Sequence, residues 1–229
     1  MNQYSTSFQD LQQIDYPKAW DYQESLLQEI IQQKNSNTTP TNQYLLFCEH
    51  PHVYTLGKSG SENNLLINPN FLKKINATYH KSNRGGDITY HGPGQLVAYP
   101  IFNLQQMNTY LKSYIYKLEH AVIQTVAEYG IKAERLEGAT GVWIDTDKPS
   151  KTRKICAMGV RVSHWVSMHG LALNVNTDLN YFEHINPCGF TDKKATSIEK
   201  EIGRKIDLEE VKNILKTKLS QEFDLQLIP

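Results

Sequence analysis

Cysteine is scarce in this sequence. Three in 229 residues are too few, and odd in number, for the disulfide framework of a small secreted chain. A reducing compartment is expected, and each thiol has to be judged on its own surroundings. Long apolar runs are missing too: Tyr44-Leu-Leu-Phe-Cys48 is typical, far short of the roughly 20 residues that cross a bilayer. The opening stretch, Met1 to Asp10, has neither the basic region nor the apolar core of a secretory signal. Net charge is also lacking, since 24 Lys and Arg balance 24 Asp and Glu. That balance argues against a strongly basic nucleic-acid face. No repeat and no linker divides the chain, so 1–229 reads as one domain, long enough to bury a full core. The expectation is a soluble, cytoplasmic protein with no membrane and no nucleic-acid partner.

The apolar spacing is informative. Trp20, Leu27, Ile30 and Ile31, with Leu26 beside them, recur at helical intervals from Asp15 to about Asn35, with Asp15 placed to cap and Pro17 tolerated in the first turn. Leu111, Tyr114, Ile115, Leu118, Val122, Val126 and Tyr129 mark a second helix of about five turns, ended by Gly130. A third starts at Asp207 and Glu210 and carries Leu208, Val211, Ile214, Leu215 and Leu219. Between them lie short strand-like segments at 44–48, 52–56, 88–90, 96–102, 131–135, 141–145, 154–162, 165–168 and 171–175. Residues 58–76 are polar and irregular and read as a loop or lid. Helices at both ends and mid-chain, with strands between, indicate α+β architecture.

The densest chemical signal is Arg84-Gly85-Gly86-Asp87-Ile88-Thr89-Tyr90-His91-Gly92-Pro93-Gly94-Gln95, with four glycines, an arginine and a histidine in twelve residues. Glycines let a ligand or another backbone come close, and loops on a rigid scaffold commonly carry function. Of the thiols, Cys48 sits in an apolar run and Cys156 in an alternating strand, so both read as buried and inert. Cys188 lies between Pro187 and Gly189, where a thiol is partly exposed and backbone N–H groups can face an oxyanion. A thiol titrates near pH ~8.5 and needs a base or a cation beside it to attack. His50, His91 and His169, each at the end of a strand-like run, are candidates, as is Lys154 at the start of an apolar strand.

Taken together, the Arg84–Gln95 run, Glu49-His50-Pro51, Lys154-Ile-Cys-Ala-Met-Gly159, His169-Gly-Leu-Ala-Leu-Asn-Val175 and Ile185-Asn-Pro-Cys-Gly189 closely resemble the lipoyl(octanoyl) transferases, in that family's order. The resemblance covers about residues 45 to 198. It implies the biotin/lipoate protein ligase-like fold, with mixed sheets flanked by helices. It implies an enzyme that moves an octanoyl or lipoyl group from acyl carrier protein to a lysine of lipoyl domains, in 2-oxoacid dehydrogenases and the glycine cleavage H protein, as the first step of endogenous protein lipoylation. Cys188 would carry the acyl group as a thioester and Lys154 would work with it, as general base or as fixed cation, without cofactor or metal. The acyl-binding positions would be Arg84, Gly85, Gly86, Asp87, Ile88, Thr89, Tyr90, His91, Ala157, Met158, Gly159, Gly170, Leu171 and Ala172, with His50 and His169 in support. His52 stands where the family commonly has proline and is assigned no role. The nearest alternative is an ATP-dependent lipoate-protein ligase on the same fold, which activates a free acid and needs no nucleophilic cysteine; the chain has no recognisable phosphate-binding lysine loop. A cysteine hydrolase and a non-catalytic acyl or carrier binder are more distant readings.

Overall fold

The computed structural model describes residues 4–36, 41–186 and 193–228. The chain opens with β1 (Tyr4–Gln13), α1 (Tyr16–Asn35) and β2 (Tyr44–Glu49). A small sheet follows, built from β3 (Val53–Leu56), a short helix α2 (Pro69–Lys74), β4 (Thr78–Lys81) and β5 (Ile88–His91). Then come β6 (Gln95–Ile101), α3 (Leu111–Ala127), β7 (Glu134–Leu136), β8 (Ala139–Ile144), β9 (Arg153–Ser163) and β10 (Val166–Asn174). The last elements are β11 (Lys194–Ala195), α4 (Ile198–Ile202), α5 (Leu208–Phe223) and β12 (Leu225–Ile228).

The main sheet runs β12-β1-β2-β6-β10-β9-β8-β7, with β11 joined to β9; the second sheet is β4-β3-β5. The main sheet is mixed, because β1 pairs parallel with both β2 and β12 while β2, β6, β10, β9 and β8 alternate antiparallel. Alternation along the central strands separates two cores. Leu45, Phe47, Leu96, Ala98, Leu171 and Leu173 face α3 and α5, while Leu46, Cys48, Val97, Tyr99 and Ala172 face α1. On α5, Val211, Leu215, Leu219 and Phe223 are all at most 1% exposed, and each contributes roughly 1.5–3 kcal/mol by leaving water. Cys48 and Cys156 are free and buried, as their apolar surroundings require.

Five features differ from the sequence reading. β1 and β12 had no strand signal, since β1 reads Tyr-Ser-Thr-Ser-Phe-Gln-Asp-Leu-Gln-Gln and is mostly half-exposed. It is held by partners from distant sequence rather than by its own propensity. Residues 58–76 contain α2, started by Pro69 and by the Asn68 side chain accepting the Phe71 N–H. The strand expected at 131–135 begins only at Glu134. The two strands expected at 165–168 and 171–175 are one strand, β10, because Gly170 sits against β6 so closely that a Cβ there would lie 2.1 Å from the Ala98 carbonyl oxygen. Asp15 precedes α1 but makes no capping hydrogen bond; its carboxylate meets Lys18 at 3.2 Å instead.

Candidate active site

Where the α1 face of the main sheet meets the small sheet, a cavity of about 450 Å³ opens between the Arg84–His91 segment and strands β8, β9 and β10. Arg84, Gly86, Asp87, Ile88, Thr89 and His91 form one wall, and Ala157, Met158, Gly159, Gly170, Leu171 and Ala172 the other. Lys154 stands on β9 with Ala157, Met158 and Gly159. The structure thus brings three separate stretches of sequence to one space. Three of the expected positions are outside the lining: Gly85, Tyr90, and His50, which stands behind Tyr99 and His91. Gly85 is not in the lining; its N–H donates to the Val160 carbonyl at 2.9 Å and ties the loop to β9. Tyr90 is fully buried in the core of the small sheet, its hydroxyl 2.7 Å from His52 Nδ1, while the His52 ring stacks on Tyr181.

Arg84 is the strut of the glycine-rich loop. Its Nη2 donates to the Thr55 carbonyl at 2.6 Å and the Asp87 carbonyl at 2.7 Å, Nη1 to the Gly85 carbonyl at 3.0 Å, and Nε to Thr55 Oγ1 at 3.2 Å. These charge-assisted bonds hold the loop backbone in one shape, and Arg84 as a whole is only 7% exposed.

The deep end of the cavity is a cluster of neutral histidines. His50 places Nδ1 2.6 Å from the Ile14 carbonyl and Nε2 2.7 Å from the Tyr99 hydroxyl. His91 places Nδ1 2.7 Å from Gln95 Oε1. Burial lowers the pKa of His50 to about 4. It lowers His91 to about 3, with His50 and Arg84 adding to the shift, and His169 to about 3, with Arg84 and Arg161 adding. None is poised as a base near neutrality. His169 is also a backbone exception. By alternation it belongs with Leu171 on the α3 side, yet its ring meets Trp20 and Tyr99 at 5.8 and 6.4 Å on the α1 side. A left-handed φ of 58° makes the turn, and its N–H donates to Gln23 Oε1 at 2.9 Å. Nε2 lies 2.6 Å from Asn83 Oδ1, and Nδ1 has no partner among the described residues.

Lys154 lies at the other end. His169 pairs with Val160, six residues along β9 from Lys154, or about 20 Å at the usual strand rise. The structure therefore does not bring His169 to Lys154. The lysine is half-buried, its carbonyl accepts the Thr196 N–H at 2.9 Å, and its Nζ sits 4.4 Å from the Trp143 ring centroid. Trp143, Tyr16, Tyr99 and Asn174 line the cavity and carried no signal in the sequence, because the pairing of β8 with β9 that places Trp143 opposite Lys154 includes a register shift. Cys188 lies outside the described residues; the chain resumes at Lys193, which also lines the cavity. Cys48 and Cys156 are unsuited to attack, since burial drives both thiol pKa values far up. Among the described residues no group of three or more His, Cys, Asp or Glu could hold a metal ion.

Comparison with known proteins adds a likeness over nearly the whole chain. Residues 15–220 match the family model described as Lipoyl protein ligase A/B catalytic domain. An octanoyltransferase of Bacteroides fragilis is 55% identical over 206 residues, covering 90% of this chain and 92% of its own. One from Cytophaga hutchinsonii is 50% identical over 231 residues, covering 97% and 94%. Among solved structures, a lipoate-protein ligase A bound with ATP superimposes with a TM-score of 0.68 at 16% identity, covering all of this chain and 90% of its own. The bi-partite lipoate protein ligase of Thermoplasma acidophilum gives 0.67 at 15%, covering 99% and 88%. Likeness at that level of identity speaks to the fold alone.

Proposed function

The chain belongs to the lipoyl protein ligase A/B catalytic-domain family, and from that membership we propose an octanoyltransferase of protein lipoylation that works through a thioester on Cys188. Transfer of the octanoyl group is the activity named for relatives at 50–55% identity across nine-tenths or more of the chain. The observation that carries the mechanism is the cavity itself: a slot lined by Ala157, Met158, Leu171 and Ala172, with Lys154 at one end. An octanoyl chain laid there gains about 0.8 kcal/mol per buried methylene, so about six methylenes contribute roughly 5 kcal/mol.

In the first half-reaction the Cys188 thiolate attacks the thioester carbonyl of octanoyl-acyl carrier protein. The Lys154 ammonium lowers the thiol pKa, and the pantetheine sulfur leaves and takes up a proton. In the second half, the amine of a lysine in a lipoyl domain attacks the Cys188 thioester; the C–S bond breaks as the amide forms, and the proton the amine loses passes to the departing Cys188 sulfur. The acceptors on this reading are the lipoyl domains of 2-oxoacid dehydrogenases and the glycine cleavage H protein. Arg84 to His91, without Gly85 and Tyr90, bound the acyl slot, and His50 and His169 support its deep end. We read residues 1–229 as one catalytic domain acting in the cytoplasm without cofactor. No helix among the described residues is long and apolar enough to cross a membrane.

Intact-protein mass spectrometry after mixing with octanoyl-acyl carrier protein tests this. An octanoyl adduct on the wild type and none on Cys188→Ser, discharged by added lipoyl domain, is the expected result. Modification of the lipoyl domain that needs ATP and free octanoate, with no adduct, would replace the transferase by the ligase.

A further inference from the structure

We propose that Trp143 is a positioning residue for the reaction: its ring, lying across the bare backbone at Gly141, holds the Lys154 amine in place and in its charged form. The inference rests on the reading of Lys154 given above. Trp143 and Lys154 are Cα partners on neighbouring antiparallel strands, so their side chains leave the sheet on one face. The ammonium is 4.4 Å from the ring centroid, within the roughly 6 Å over which an indole face attracts a cation.

The ring cannot move freely. Trp143 is 2% exposed, and its Nε1–H donates to the Ala139 carbonyl at 2.9 Å, which draws the indole back along β8 over position 141. A glycine is needed there. Its φ is +124°, and a Cβ would stand 2.6 Å from the Cys156 carbonyl oxygen and 3.4 Å from Lys154 Cε. The lysine stem therefore rests beside Gly141 and its head on the indole. The bed is itself anchored: Glu119 Oε1 accepts the Gly141 N–H at 3.0 Å, while Glu119 Oε2 accepts from Arg135 Nε at 3.0 Å.

The ring face stabilises an ammonium and does nothing comparable for a neutral amine, so its presence raises the lysine pKa. The other charged groups sharing the cavity are Arg84, Asp87, Lys193 and Lys194. Glu119 lies behind Gly141, Arg153 is engaged by Asp145 and Glu201, and burial keeps the Cys156 thiol neutral. All of these remain when only the indole is altered, so a difference between variants isolates the ring.

The experiment follows the Lys154 Cε resonance of the full chain, labelled with ¹³C-lysine and assigned by its loss in Lys154→Arg, across an alkaline titration. Three samples are compared: wild type, Trp143→Leu, and wild type grown with trifluorotryptophan. Fluorination drains the ring face without changing its shape, and so keeps the test decisive if the leucine variant does not fold. The titration midpoint should fall by about one pH unit in Trp143→Leu and in the same direction, by several tenths, in the fluorinated protein. An unmoved midpoint in the fluorinated protein overturns the proposal. Acyl-enzyme formation by Lys154→Ala is measured in parallel: a loss of about 100-fold or more is expected, and an undiminished rate would instead remove the reading of Lys154 on which this one stands.

Discussion

The cavity has two contrasting groups: a lysine that lies over an indole face, and three histidines, His169 about 20 Å from it along the sheet, that burial has stripped of charge. The histidine end is almost closed on itself. His50, His91, Tyr99, Gln95 and the Ile14 carbonyl use up one another's hydrogen-bonding capacity, and Arg84 does the same for the loop above. The lysine end is half-buried, and Lys193, where the described chain resumes, lines the same cavity. The difference teaches that ionisable residue types alone do not mark the working end of a site. Here the region richest in histidine is neutral and hydrogen-bonded within itself, whereas Lys154 lines the cavity together with Lys193 and Lys194.

Acid should separate the two ends most sharply. Burial places the folded-state pKa of His50, His91 and His169 below the ordinary 6.5, so between pH 6.5 and about 3–4 the unfolded chain binds protons that the folded chain refuses. Their stabilising contribution is complete above pH 6.5 and is lost as the pH falls through that interval. Each histidine costs up to about 1.4 kcal/mol per pH unit, or roughly 4 for three. Urea unfolding at pH 7, 6 and 5 should show a steepening loss, and a flat profile would mean that the cluster is hydrated and titrates normally.

Next in size, Arg84→Met should destabilise by about 3–5 kcal/mol, because it leaves the Thr55 and Asp87 carbonyls without the donor they share. Thermal melts at pH 7 read this directly; a change under 1 kcal/mol would show that the loop holds its shape without its strut. The smallest effect belongs to Cys48→Ala. Its sulfur is 3.6 Å from His50 Nε2 in a dry core, so about 1–2 kcal/mol of stability goes, while octanoyl transfer stays within about twofold of wild type. A larger loss of activity would implicate the histidine end in the chemistry.

Much of this was legible in the sequence. The α1, α3 and α5 stripes, the burial of Cys48 and Cys156, and the convergence of the glycine-rich loop with Ala157–Gly159 and Gly170–Ala172 all follow from local pattern or motif. What stayed hidden depends on pairing. β1 is polar enough to pass for a tail and becomes a strand only between β2 and β12. His169 looked like the end of a strand because His-Gly breaks the pattern, whereas β10 continues through it with one left-handed residue. Nothing local in the sequence singles out Trp143, whose place opposite Lys154 depends on the pairing of β8 with β9.

Strand β9 carries Lys154 near one end and Ala157, Met158 and Gly159 further along, clamped by β8, β10 and β11. A stiff backbone fixes the interval between these residues much as graduations are fixed on a ruler. On the reading proposed above, acyl length and activation are therefore separate dials for anyone redesigning the protein: bulk is exchanged at Met158 without retuning the amine at Lys154.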